Sequence, residues 1–148
     1  MGIEENNKEL IRRFYELYNQ QELDATTELM SPDWVGPDGR STREDSKRFD
    51  TMFINAFPDL QVTLVDMIAE GDKVAYIVNV KGTHTGGPYM GIPPTGKKID
   101  GTNTWITRIT DNKIVEHNGT GDFLTPLQQL GVAPSLPEIL QAYNESLK

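Results

Sequence analysis

The chain of 148 residues has no cysteine, only two histidines, and fewer Lys and Arg (14) than Asp and Glu (22). Each shortage removes a class of function. Without cysteine there is no disulfide framework, no thiolate nucleophile and no Cys-type zinc site, and nothing ties the chain to an oxidising compartment. A net charge of −8 and a pI near 4.7 oppose binding to nucleic acid or to an anionic membrane, because both need clustered cations to offset phosphate charge. There is no apolar run long enough to span a bilayer, and Met1 to Lys8 is polar and acidic with no leader-like apolar stretch, so a cytoplasmic chain is expected. Two histidines without H-E-x-x-H spacing argue against a metal site, and the Gly82 to Lys97 loop carries no phosphate-binding glycine pattern. What remains is a small substrate that is neutral or weakly charged.

The length suits one domain, which at this size buries roughly 68–70% of its unfolded surface. Leu10, Ile11, Phe14, Leu17 and Tyr18 recur at helical spacing between Asn7 and Asn19. Asp24 is placed to cap a short helix to about Met30, Ser31-Pro32 to stop it, and Trp34-Val35 to form a brief strand before the Gly36-Pro37-Asp38-Gly39 turn. Ser41 and Glu44 have capping-box spacing ahead of a stripe of Phe49, Met52, Phe53, Ala56 and Phe57 that Pro58 ends. Leu60, Val62 and Leu64 alternate; Gly71-Asp72 turns the chain into Lys73 to Thr83, which is apolar on both faces. A second hairpin joins Ile99–Ile109, with Ile99, Gly101, Asn103, Trp105, Thr107 and Ile109 on one face, to Ile114–Thr120. Thr125-Pro126 opens a short helix that Gly131 ends, and Ser135 with Glu138 caps a last helix bearing Leu136, Ile139, Leu140, Tyr143 and Leu147.

Helices first and an antiparallel sheet later define an α+β class. A twisted sheet with helices across one face curls into a cone-shaped half-barrel whose concave side is the natural ligand cavity. Its other face needs a cover, which a sheet-to-sheet homodimer would supply. Both histidines fall in one block, Gly82 to Asp122. There His117 and Asp122 offer an imidazole and a carboxylate for general acid/base work, beside the plainer readings of Asp122 as a cap for backbone N–H groups near Phe123 to Thr125 and of His117 as a structural residue, while His84, in a Gly/Thr loop start, reads as a loop brace. Trp34, Tyr15, Phe53, Met90, Asn103 and Trp105 are candidates to line the cavity, and the small residues Asn118 to Gly121 suggest a wide or polar site.

The helix Leu10 to Tyr18, Asn55-Ala56-Phe57-Pro58-Asp59-Leu60, Gly82-Thr83-His84-Thr85-Gly86, Gly91-Ile92-Pro93-Pro94-Thr95-Gly96, Lys113-Ile114-Val115-Glu116-His117 and Leu127-Gln128-Gln129-Leu130-Gly131 together resemble the SnoaL-like polyketide cyclase family. That family belongs to the nuclear-transport-factor-2-like superfamily of cone-shaped α+β folds. The resemblance implies one domain over residues 1–131 with a helical extension over 132–148. It also implies a cofactor-free intramolecular aldol closure on a small hydrophobic carbonyl compound, with Asp122 in the acid/base position. Asn118 stands where family members commonly have Trp, and Asn103 where cyclases often place a histidine. Two other readings stay open on the same scaffold: a hydrolase or hydratase activating water, and a binding module without catalysis.

Overall fold

The computed structural model describes residues 2–148. Along the chain run α1 (Ile3–Asn19), α2 (Leu23–Glu28), β1 (Met30–Val35), α3 (Arg43–Ala56), β2 (Gln61–Glu70), β3 (Lys73–Thr83), β4 (Lys98–Thr110), β5 (Lys113–Thr120), α4 (Leu124–Gln129) and α5 (Leu136–Ser146). The five strands form one curved sheet in the order β1-β5-β4-β3-β2, which does not close into a barrel.

Both expected hairpins form. Between β4 and β5, Asp111 and Asn112 take positive φ (50° and 57°), the left-handed pair that a two-residue hairpin turn requires. Register breaks at Leu64/Asp66 and at Arg108/Ile109 are bulges that deepen the twist and bend the sheet round the helices. The sheet is mixed rather than wholly antiparallel: β1 pairs in parallel with β5, Met30 opposite Ile114. Ser31-Pro32 lies inside β1 instead of ending a helix, because a proline is tolerated on an edge strand with no ladder partner on its free side.

The helical caps also differ in detail from the spacing pattern. Thr42 and Asp45 make the capping box of α3, Asp45 N–H to Thr42 Oγ1 at 3.2 Å and Thr42 N–H to Asp45 Oδ2 at 2.8 Å. Ser41 is held instead by Asp38, which gathers the backbone N–H groups of Arg40 and Ser41. Asp24 lies in the first turn of α2 and pairs with Lys47, while α4 begins one residue before Thr125.

The core lies between the concave sheet face and the helices. Val74, Tyr76 and Val78 of β3 and Ile99, Thr107 and Ile109 of β4 face Leu10, Ile11, Tyr15 and Tyr18 of α1 and Ile54, Ala56 and Phe57 of α3. His84 is fully buried against Phe57, accepting at Nδ1 from the Thr95 N–H (3.3 Å) with Nε2 3.1 Å from Gly87 O. It ties the two ends of the long loop together through these contacts. The convex face carries Val65, Ile68 and Ile106 exposed. No described helix is long and apolar enough to cross a membrane.

Candidate active site on the concave face of the sheet

His117 pairs with Thr107 across β4 and β5 and points to the concave side. Its imidazole centroid lies 4.3 Å from the Trp105 ring and 6.4 Å from both Trp34 and Tyr76. Aromatic walls strip water from the ring without offering a counter-charge, so desolvation lowers its pKa to about 4 and the imidazole is neutral at pH 7.

Gly119, opposite Trp105, takes φ 137°, and a Cβ there would sit 2.4 Å from Thr104 O and 3.0 Å from Trp105 Cε3. Only glycine fits, and its bareness lets the indole lie across β5 onto the imidazole. At Gly121 the indole is again the neighbour, Cη2 at 3.3 Å. The two glycines after His117 therefore leave room for the Trp105 indole.

A set of hydroxyls continues inward from the imidazole. Tyr15 Oη and Thr107 Oγ1 each donate to Tyr76 Oη, both at 3.3 Å. Tyr15 packs edge-on against Tyr18 (6.2 Å), whose hydroxyl donates to Asp50 Oδ1 at 3.1 Å. Burial pushes the Asp50 carboxyl up to about 7, against the opposing pull of hydrogen bonds from Tyr18 and Ser46. Burial also pushes Tyr15 and Tyr18 well up, so both stay protonated donors. The Trp34 indole N–H is buried without a partner, an unmet donor on the residue next to His117 in space.

Asp122 sits at the rim, outside the aromatic walls. Its carboxylate accepts the Thr125 N–H at 2.9 Å at the start of α4, and hydrogen bonding to Thr125 holds its pKa below the ordinary value, so it is an exposed anion. Its own N–H donates to Asn103 Oδ1 at 3.0 Å, so Asn103 pins the turn that presents it. Phe49, one residue before Asp50, meets Phe123, one residue after Asp122, edge to face at 6.1 Å, which brings α3 and the start of α4 together at the open side of the sheet.

Of the residues singled out from the sequence, the structure thus gathers His117, Trp105, Trp34 and, through Tyr76, Tyr15. Asn103 and Asp122 form a separate pair at the rim. Phe53 belongs to another cluster with Phe49, Phe57 and Tyr89, and Met90 is exposed with its N–H on Met52 Sδ. A surface depression of about 730 Å³ lies outside this site, between α3 and Gly87-Pro88. Its cations Lys47 and Arg48 are engaged by Asp24 and Asp45.

Sequence reasoning passed over Asp50, Tyr18 as a donor, Tyr76 and Thr107. The available signal was periodic: Asp50 stands four residues before Ile54 and seven before Phe57, a carboxyl on the buried stripe of α3.

A curved sheet embracing helices, with a polar group set among aromatic walls at its concave face, is the nuclear-transport-factor-2-like architecture. The model of the SnoaL-like polyketide cyclase family matches residues 8–130, and the chain belongs to that family. It is 27% identical over 138 residues to aklanonic acid methyl ester cyclase DnrD of Streptomyces peucetius, covering 88% of this chain and 94% of that one. Among solved structures it resembles AclR of Streptomyces galilaeus, assigned as a hydroxylase, with a TM-score of 0.81, 29% identity and coverage of 95% and 90%. IdmH of Streptomyces antibioticus, assigned as a polyketide cyclase, superposes with a TM-score of 0.72 at 33% identity, covering 85% of this chain and 99% of that one.

Proposed function

We propose that this protein is a cofactor-independent enzyme that closes a ring in a small hydrophobic carbonyl compound by an intramolecular aldol step. The observation that carries the reading is the neutral imidazole of His117 held among Trp34, Tyr76 and Trp105. An imidazole that stays uncharged at pH 7 donates a hydrogen bond to an enolate oxygen without first giving up a proton, and in a dry aromatic setting that bond is worth more than in water. The flat walls formed by Trp34 and Trp105 suit a planar, conjugated substrate.

Asp122 is the group we assign to remove the proton from the carbon next to the carbonyl. In the free protein it is a weak base, bonded to Thr125 and hydrated. An apolar substrate covering the rim removes that water and raises its basicity toward the working pH. Asn103, through the Asp122 N–H, keeps the carboxylate at the edge of the site.

The test uses aklanonic acid methyl ester, the compound named for the relative DnrD. Ring closure by the wild-type protein, lost by about 100-fold or more in Asp122→Asn and in His117→Phe with folding intact, supports the reading. Normal turnover by Asp122→Asn sinks the role of that residue. Incorporation of labelled water oxygen into product would show a hydrolase or hydratase instead.

We further infer that the enzyme works in the cytoplasm as a homodimer joined through the convex sheet face. Support for the dimer comes from Val65, Ile68 and Ile106, which are 62%, 67% and 45% exposed there in the single chain.

A further inference from the structure

Strand β5 stops pairing with β4 at Thr120 opposite Thr104, and the chain then turns so that the Asp122 N–H meets the side chain of Asn103. An N–H can bond only to the oxygen of an amide. This contact, at 3.0 Å, therefore fixes how the Asn103 amide faces: Oδ1 toward Asp122, Nδ2 away from it.

Asn103 stands opposite Val78, whose side chain lies in the core, and two residues before Trp105, so it belongs to the concave row of β4. Its Nδ2 has two N–H bonds and no acceptor among the described residues. It is also within reach of a ligand. Trp34 Nε1 is the one buried side-chain polar atom without a partner among the described residues, so the unpartnered Nδ2 of the half-buried Asn103 touches solvent. An oriented, open amide donor on the face that carries the aromatic walls, tied to the residue assigned as base, suits an acceptor oxygen on a bound molecule.

The position of that oxygen follows from the chemistry. Once Asp122 has taken a proton from carbon it must deliver one to the oxygen of the carbonyl under attack, so that oxygen has to lie close to Asp122. Asn103 is the donor joined to Asp122. Resting on the ring-closing reading above, we propose that Asn103 is a catalytic residue whose Nδ2–H donates to the oxygen of the attacked carbonyl and holds its electrophilic carbon beside Asp122.

The step balances as an isomerisation. Asp122 takes the proton from carbon, and the enolate carbon forms the new C–C bond. The π pair of the attacked carbonyl moves to its oxygen, which takes the proton back from Asp122. Asn103 keeps its own protons throughout. An amide does not ionise in the working range, so its bond strengthens as the oxygen becomes negative and consumes no acid.

The experiment uses 2-methyl-2-(3-oxobutyl)cyclohexane-1,3-dione, a triketone that closes to a bicyclic ketol of the same composition. NMR in deuterated buffer at neutral pH follows two rates at once: deuterium entering the terminal methyl, which reports removal of the proton from carbon, and formation of the ketol. Asn103→Asp keeps an oxygen for the Asp122 N–H and the length of the side chain, but at neutral pH it has no donor. It is expected to lose about 100-fold in kcat for closure while methyl exchange stays within about 3-fold of wild type. Exchange and closure falling together would mean that Asn103 only holds the turn, and overturns the inference. Closure at the wild-type rate in Asn103→Asp also overturns it, and leaves the proposed function standing if Asp122→Asn is inactive. A wild-type protein that does not accelerate closure overturns both. A second measurement needs no variant: in the ¹⁵N–¹H spectrum of the wild type, 2,2-dimethylcyclohexane-1,3-dione, which has the ring carbonyls but no arm to close, is expected to move an Asn103 Nδ2–H resonance downfield. Movement of the Trp105 signals with none at Asn103 Nδ2 counts against the inference.

Discussion

Asp50 and His117 are buried in the uncharged form, and each therefore writes a slope into the stability of the protein. Below the ordinary carboxyl value of 3.8 Asp50 is protonated in both folded and unfolded chains; above it the unfolded chain ionises first, so stability is lost up to about pH 7. Asp50→Asn removes that loss and should raise stability at pH 8 by up to about 4 kcal/mol, read from thermal melts. His117 acts in the opposite sense. Its unfolded form binds a proton near 6.5 and the folded form only near 4, so stability is lost as pH falls through that window. The two slopes oppose each other in the wild type. Melts of His117→Gln should lose the acid-side decline and leave stability falling with pH between about 4 and 7. Had the sequence been weighed for polar residues on apolar stripes, Asp50 was visible; that Tyr18 would meet it was not, because the two lie on different helices.

At the scale of elements, caps and close approaches decide whether each segment seats correctly. Thr42→Ala removes the acceptor for Asp45 N–H and should cost about 1 kcal/mol in urea unfolding, whereas Ser41→Ala, outside the capping box, should cost less. Gly86 approaches α3 so closely that a Cβ would lie 1.9 Å from Asn55 O. Gly86→Ala should therefore displace the loop that His84 braces, at about 1–3 kcal/mol. The bulge at Arg108/Ile109 explains why strict alternation along β5 misleads. Ile109 pairs with Ile114 but Arg108 with Glu116, so Val115 is the extra residue and His117 turns inward although it stands three places after the inward Ile114. The helices and both hairpins were legible from periodicity and turn residues. The parallel pairing of β1 was not, since a six-residue edge strand carries no signal of its partner's direction.

For the whole molecule the unfinished parts are the convex face and α5. Every residue from Pro134 to Lys148 is exposed, and Leu136, Leu140, Tyr143 and Leu147 present 52–67% of their surface. Ending the chain at Pro134 should leave the melting temperature of the isolated monomer nearly unchanged, because little packing is removed. If Ile106 lies in a dimer contact, Ile106→Lys should halve the mass seen by sedimentation at micromolar concentration without unfolding the chain. An unchanged mass would dispose of the sheet-to-sheet dimer.

The sequence by itself determined the composition class, the order of helices and hairpins, the concave face of β4 and the family, because these rest on local periodicity, turn chemistry and motifs read in order. Only the tertiary structure decided that Trp105 fills the space above Gly119, that Asp122 accepts a hydrogen bond at the rim, and that Tyr18 of α1 meets Asp50 of α3. Those outcomes depend on which surfaces meet after the sheet bends, and the acidity of a carboxyl is set by what surrounds it rather than by its neighbours in the chain.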